Sequence, residues 1–227
     1  WAAKRFWNVG DGDHLVSPNQ NQSEIVNEVI RLCQLGQLLS AFMDQAKESQ
    51  VSISTGELLY ISIMLNGPSP ASGIGDLVYA GLDPTKQYIT WLLEPMRPKA
   101  LATTKWSGTM QHPSHNSKVG DTLTTFVHFT YQWTYKTLVF ADLQSESGGV
   151  TGSGDYVLFD VMTHTLAGQS GVGDHGLEGI QKFCDMHACS NKCKNLGLSP
   201  ISQTLAAENS DCNDSDNDSD SQNKTSL

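Results

Sequence analysis

Apolar positions along this 227-residue chain recur with two different periods. AAKRFW, residues 2–7, alternates in the two-residue period of a strand, with Lys4 pointing to one side. After a turn rich in Gly, Asp and Pro (10–18) the period lengthens. Ile25, Val29, Leu32, Leu35, Leu39 and Phe42 share one face of a helix predicted over 23–48, with Ser23 as its cap and Gly36 weakening its interior. The runs LLYISIML (58–65) and QYITWLLEP (87–95) predict two strands, the second halted by Pro95 and Pro98. Residues 112–120 are expected to form an exposed connection with surface histidines, followed by a helix over 121–135 that carries Phe126, His128, Phe129 and Trp133. KTLVFADLQ predicts a strand with a polar tip, the Gly/Ser-rich SESGGVTGSGDY a loop, and 177–187 a helix. The class is therefore α+β.

Composition narrows the functional classes. The length suits one domain with a sizeable core, or two lobes sharing a cleft. No run approaches the roughly twenty apolar residues of a membrane span, so a soluble protein without membrane attachment is expected. The chain opens on Trp1 with no secretory signal, which predicts a domain cut from something longer or an incomplete gene product. Of the net charge of −10, half lies from Glu208 onward, where six acids face one lysine. That tail (201–227) is almost without apolar residues and is expected to be disordered, a solvating terminus before a docking or phosphorylated segment. The remaining body lacks the basic stripe that nucleic acid demands. Five cysteines, three of them near one C-terminal locus, suit metal ligation in a reducing, cytoplasmic compartment better than disulfides.

Candidate chemistry concentrates between Phe126 and Leu198. HACSNKC places His187, Cys189 and Cys193 within seven residues, three donors of the kind zinc prefers. Their spacing does not fit one helical face, so the chain should wrap a centre there, with His128 or His164 as the fourth donor. Asp142 and Gln144 are two apart, so in an extended strand their carboxylate and amide face one side and together suit magnesium. GVGDHG (171–176) is not a Walker loop, because it lacks the G-K-[ST] ending and a preceding strand.

FVHFTY, LVFADLQ, GVGDHGLEGI, HACSNKC and LGL occur in the order and at the spacings of the alpha-kinases, and the chain resembles that family from about Trp1 to Pro200. Wording such as LFDVMTHTLAGQSGVGDHG is similar to the fungal members. The resemblance implies a two-lobed atypical protein-kinase-like fold with a zinc-stabilised C-terminal lobe. Residues 1–95 would form a partial N-lobe, incomplete because the family's preceding strands do not occur before Trp1, and 96–200 the C-lobe. It also selects His128 over His164, giving a closed, structural zinc site of His128, His187, Cys189 and Cys193.

By the same resemblance the chain would be a serine/threonine protein kinase using ATP and magnesium on a protein substrate. Lys4 would contact the nucleotide phosphates, braced by Glu28, while Glu94 would lie beside the adenine where the strand leads into the hinge. Lys105 corresponds to the lysine of K-[FY]-N-N, with Ser107, Gly108 and Thr109 in place of the asparagines. Asp142 would orient the substrate hydroxyl, and Gln144 and Asp160 would hold magnesium, with Asp155 a rival for the latter. Gly171, Gly173 and Gly176 would form the loop over the cleft, where Asp174, if directed inward, would repel acidic substrates. Ser145 stands where a glycine is usual, and Phe159-Asp160-Val161 replaces T-D-P. Two other classes remain: a catalytically inactive zinc-stabilised scaffold, and a zinc hydrolase using His128, His187 and a cysteine.

Overall fold

The computed structural model describes residues 1–6, 16–46, 53–55, 59–64, 67, 76–80, 88–96, 103–113, 116–147 and 156–201. Asp155, His115 and the acidic tail after Ile201 lie outside them. A three-stranded antiparallel sheet contains β1 (Ala2–Lys4), β4 (Tyr88–Glu94) and β3 (Leu59–Met64), with β4 in the middle. Its central strand turns Leu92 into the core and packs against helix α1 (Pro18–Ala46).

The first long helix begins five residues before the expected Ser23, and the reason is local. Ser17 and Gln20 cap each other: the Gln20 amide donates to Ser17 Oγ (3.2 Å) while the Ser17 amide donates to Gln20 Oε1 (3.0 Å). Pro18, whose missing N–H costs nothing in the first turn, opens the helix. One turn in, fully buried Asn21 ties the sheet to the helix: Oδ1 accepts from the Phe6 amide (2.9 Å) and Nδ2 donates to the Thr90 carbonyl (2.8 Å). The short β1 strand, which carries Lys4, is thereby fixed on α1.

Helix α3 (Lys118–Trp133) starts three residues before the expected Asp121, because Ser117 Oγ accepts the Gly120 amide at 3.1 Å. The supposedly exposed connection is thus partly helix, with Val119 and Gly120 buried. Phe42 of α1 meets Phe126 of α3 edge-on at 5.4 Å, and Phe126 stacks on Phe140 at 5.6 Å. Burial of each such ring contributes about 1.5–3 kcal/mol.

β2 (Ile53–Thr55), β5 (Thr103–Lys105), β7 (Gln144–Ser147) and β8 (Tyr156–Phe159) form a four-stranded sheet in the order β2-β8-β7-β5, with β2 parallel to β8. β6 (Leu138–Ala141) pairs with β9 (Met162–Thr165) in a separate two-stranded ribbon. Helices α2 (Asp76–Ala80), α4 (Gly176–Met186) and α5 (Asn191–Asn195) complete the described residues. α4 lies against β9 and α5 against α3.

Candidate active site and metal cluster

The expected single strand KTLVFADLQ is two strands in two sheets. β6 ends at Ala141, opposite Met162, and β7 starts at Gln144, opposite Phe159, so the pairing register is the same on both sides of the break. One antiparallel ribbon therefore crosses from one sheet to the other. At the crossing each strand has one left-handed residue, Asp142 (φ 51°) and Asp160 (φ 48°). Aspartate, like asparagine, tolerates that region better than most side chains with a Cβ, and such strain collects at functional sites. Each aspartate is followed by a buried apolar residue, Leu143 or Val161, that anchors the kink in the core. The inference that Asp142 and Gln144 share a face by simple alternation fails, because the chain between them is not extended. The register pairs Gln144 with Phe159, the residue before Asp160.

Lys4 forms ion pairs with Glu94 and with Asp160, the latter at 2.6 Å. Burial disfavours the ammonium, but the hydrogen bonds and charges of Asp160 and Glu94 outweigh it and hold the lysine above its ordinary value of 10.5. The expected brace from Glu28 is not found. Glu28 pairs instead with Arg31, one helical turn away on the same helix, and burial pushes its carboxyl up against that guanidinium's opposing pull. Glu94, assigned to the adenine side, has its buried carboxylate on Lys4. A cavity of about 240 Å³ opens here, lined by Lys4, Glu28, Arg31, Asp160, Met162 and Val172 among others.

Asp142 is not part of that lining. It lies at the other half of the crossing, where Lys105 Nζ sits 2.8 Å from Oδ1 in an ion pair without hydrogen-bond angles. The residues in place of the family's asparagines hold its backbone: Ser107 Oγ accepts the Leu143 amide (2.8 Å) and the Gly108 carbonyl accepts the Asp142 amide (3.1 Å). Ser145 is buried and accepts from Trp106 Nε1 at 2.9 Å.

The glycine loop has the backbone its composition requires. Gly171, Gly173 and Gly176 all have positive φ (117°, 85° and 61°), and a Cβ at Gly171 or Gly173 would strike the Arg31 guanidinium or Met162 Sδ. Asp174 does not project into the cleft. Its carboxylate accepts from the Thr165 amide and hydroxyl, the Ser170 amide and hydroxyl, and the Gly176 amide, at 2.6–3.0 Å. Burial would raise its pKa, but the bonds from Thr165, Ser170 and Gly176 bring it down to about 2. Two α1 residues fasten the loop from outside: Arg31 donates to the Ser170 carbonyl (2.5 Å), and Glu24 Oε2 accepts the Val172 amide (3.1 Å).

The donor atoms of His128, His187 and Cys193 lie within 4.8 Å of one another. Cys189 Sγ is 3.8 Å from His128 Nδ1, and Cys193 Sγ is 3.8 Å from His187 Nε2. Tetrahedral zinc separates its nitrogen and sulfur donors by roughly 3.3–3.8 Å, which these two pairs match, so His128, His187 and Cys193 form a possible metal cluster with Cys189 beside His128. His128 Nε2 meets the Ser199 carbonyl at 3.1 Å, where it must donate, leaving the Nδ1 lone pair for the centre. Ser199 is itself held through its amide and carbonyl by Gln132. Burial lowers the His128 pKa, and burial followed by the His128 ring holds His187 at about 4, so both rings are neutral. His164, the other candidate donor, is occupied elsewhere: Nε2 donates to the Thr109 carbonyl (2.7 Å) and Nδ1 accepts the His175 amide (3.1 Å). His112, expected at the surface, is only 9% exposed and lies 3.0 Å from His187 Nδ1. Its pKa falls to about 3 through burial and then the neighbouring imidazoles of His187 and His128.

A partly buried ion-pair network and a glycine loop around a cleft, with a possible His/Cys metal cluster elsewhere, correspond to the arrangement expected of an atypical kinase domain. Residues 2–193 match the family model of the alpha-kinase family, and the chain belongs to that family. Myosin heavy chain kinase B of Dictyostelium discoideum is 36% identical over 88 residues, covering 38% of this chain and 11% of that protein. The apoenzyme alpha-kinase domain of myosin-II heavy chain kinase A aligns with a TM-score of 0.59 at 22% identity, covering 78% of this chain and 61% of that one. The same domain in complex with AMP-PNP gives 0.57 at 21% identity, over 81% and 60%. The chain thus spans about three fifths of those solved domains and about a tenth of kinase B. These relatives lend no support to a specifically fungal affinity. Among the described residues, no helix is long and apolar enough to cross a membrane.

Proposed function

We propose that residues 1–200 act as a serine/threonine protein kinase unit that moves the γ-phosphoryl group of ATP to a protein hydroxyl, with 1–95 as its N-terminal part and 96–200 as its C-terminal part. The observation that carries this is the Lys4 ion pair with Asp160 on a cavity that also reaches Val172 of the glycine loop. Lys4 is the cation for the nucleotide phosphates, and the loop of Gly171, Gly173 and Gly176 covers them. Magnesium held by Asp160 and Gln144 would neutralise charge on the phosphates. Asp142, with Lys105 beside it, orients the acceptor hydroxyl and takes its proton. Glu94 holds Lys4 in place, and Glu28 acts through Arg31. Zinc on His128, His187, Cys189 and Cys193 would leave no open position and so supply structure alone. The free thiols suit a reducing, cytoplasmic setting.

The test is transfer of labelled phosphate from ATP to a generic basic protein. Transfer should be lost in Asp142→Asn and retained in Ser40→Ala, a change on the exposed face of α1. A folded, zinc-loaded wild-type chain that transfers nothing with magnesium present would overturn the kinase reading and favour the non-catalytic scaffold.

A further inference from the structure

His112 has no assigned role, yet its position is constrained on every side. It is 9% exposed, its ring packs edge-on against Phe183 at 4.7 Å, and Nε2 lies 3.0 Å from His187 Nδ1. His187 turns its other nitrogen, Nε2, toward Cys193 Sγ at 3.8 Å. A neutral imidazole has one N–H and one lone pair. If the Nε2 lone pair serves the metal, the hydrogen must be on Nδ1, and the group placed to accept it is His112 Nε2. His112 then keeps its own hydrogen on Nδ1. Partners of this kind fix the tautomer and orientation of a metal-bound histidine.

The same turn reaches the other site. Five residues before His112, Ser107 Oγ accepts the Leu143 amide, and the next residue, Gly108, accepts the Asp142 amide. Between them and His112, the Thr109 carbonyl accepts from His164 at 2.7 Å. Just beyond, the Pro113 carbonyl accepts from Thr124 Oγ1 of α3 at 3.0 Å. A small cavity of about 20 Å³ beneath the turn is lined by Thr109, His112, Ala141, His164 and Gly179 among others, so residues of the turn and of both strands of the ribbon meet there. We propose that His112 is a positioning residue that orients the metal ligand His187 and, through the turn 107–112, fastens the metal centre to the kink at Asp142. This rests on the reading that the cluster holds zinc.

The zinc-loaded chain is compared with His112→Gln, which keeps an acceptor near the same place, and His112→Phe, which keeps the ring but no acceptor. Transfer of zinc to a chromophoric chelator should be about 10–100-fold faster from His112→Phe and within a few-fold of wild type from His112→Gln. Deuterium exchange at the Asp142 and Leu143 amides should accelerate in His112→Phe alone. In the unaltered chain, long-range 1H–15N correlation should find His187 protonated at Nδ1 and metal-shifted at Nε2, a readout that needs no variant to fold. A wild-type chain that holds no zinc removes both the zinc reading and this inference. One that holds zinc but shows the opposite His187 tautomer, or equal release and exchange in His112→Phe, overturns this inference alone.

Discussion

The two halves of the ribbon crossing hold their aspartates in opposite ways. Asp142 has a side chain only 13% exposed, and its kink is gripped through the backbone by Ser107 and Gly108, while its partner Lys105 is 60% exposed. Asp160 is 43% exposed, and its ion-pair partner is the Lys4 side chain, itself braced by buried Glu94. One carboxylate is preset by the fold. The other is held by a cation that an incoming polyphosphate would also attract, so its surroundings can rearrange around a ligand. Preset groups suit the reacting hydroxyl, where geometry decides the rate, and exchangeable ones suit nucleotide binding.

Substitutions should separate these two behaviours. The largest effect is expected for Asp142→Asn, which keeps a residue tolerant of left-handed backbone but removes the proposed base. The rate of phosphate transfer should fall on the order of 10²- to 10⁴-fold, with KM for ATP nearly unchanged in steady-state assays. Lys4→Met should act on the other half, raising KM for ATP about 10- to 100-fold, as expected for loss of one charge-assisted hydrogen bond. If Lys4→Met changed only kcat, the proposed division between the two aspartates would be wrong.

Ser107→Ala should leave the Leu143 amide without a partner and cost about 1–3 kcal/mol in urea unfolding, with kcat reduced more than KM. Gly173→Ala places a Cβ at φ 85° against Met162 of the Asp160 half. A stability loss of about 1–2 kcal/mol should accompany a rise in KM for ATP, not a fall in kcat. The smallest effect concerns Asp174, whose folded value of about 2 lies below the ordinary 3.8. Its ionised form is favoured by folding, so its contribution is full above pH 3.8 and is lost as pH falls through about 2. Melting curves of wild type and Asp174→Asn should differ at neutral pH and converge across that interval.

Legibility followed the range over which each interaction acts. The helical stripe of α1 and the run of donors from His187 to Cys193 are local patterns, and both were readable. The start of α1 is also written in Ser17-Pro18-Asn19-Gln20, but Gly and Asp just before it, together with Pro18, carry an equally strong turn signal. Glu28 was drawn to Lys4 by resemblance although Arg31, three residues on, is the partner that helix geometry supplies. The crossing at Asp142 was hidden because alternation presumes an unbroken strand, and nothing in A-D-L-Q announces a residue with positive φ. Asn21, Glu24, His112 and His164 act through partners between 11 and 148 residues away, and only residue type hints at them.

Because both aspartates sit on one ribbon in one register, their separation in space is set at the crossing and not by the residues that join Ser147 to Tyr156. Lengthening or shortening that connection changes how far apart the two residues fall in the sequence without moving either carboxylate. The interval between them along the chain is thus free to drift among relatives, and an alignment that insists on a fixed interval will overlook chains whose chemistry is intact.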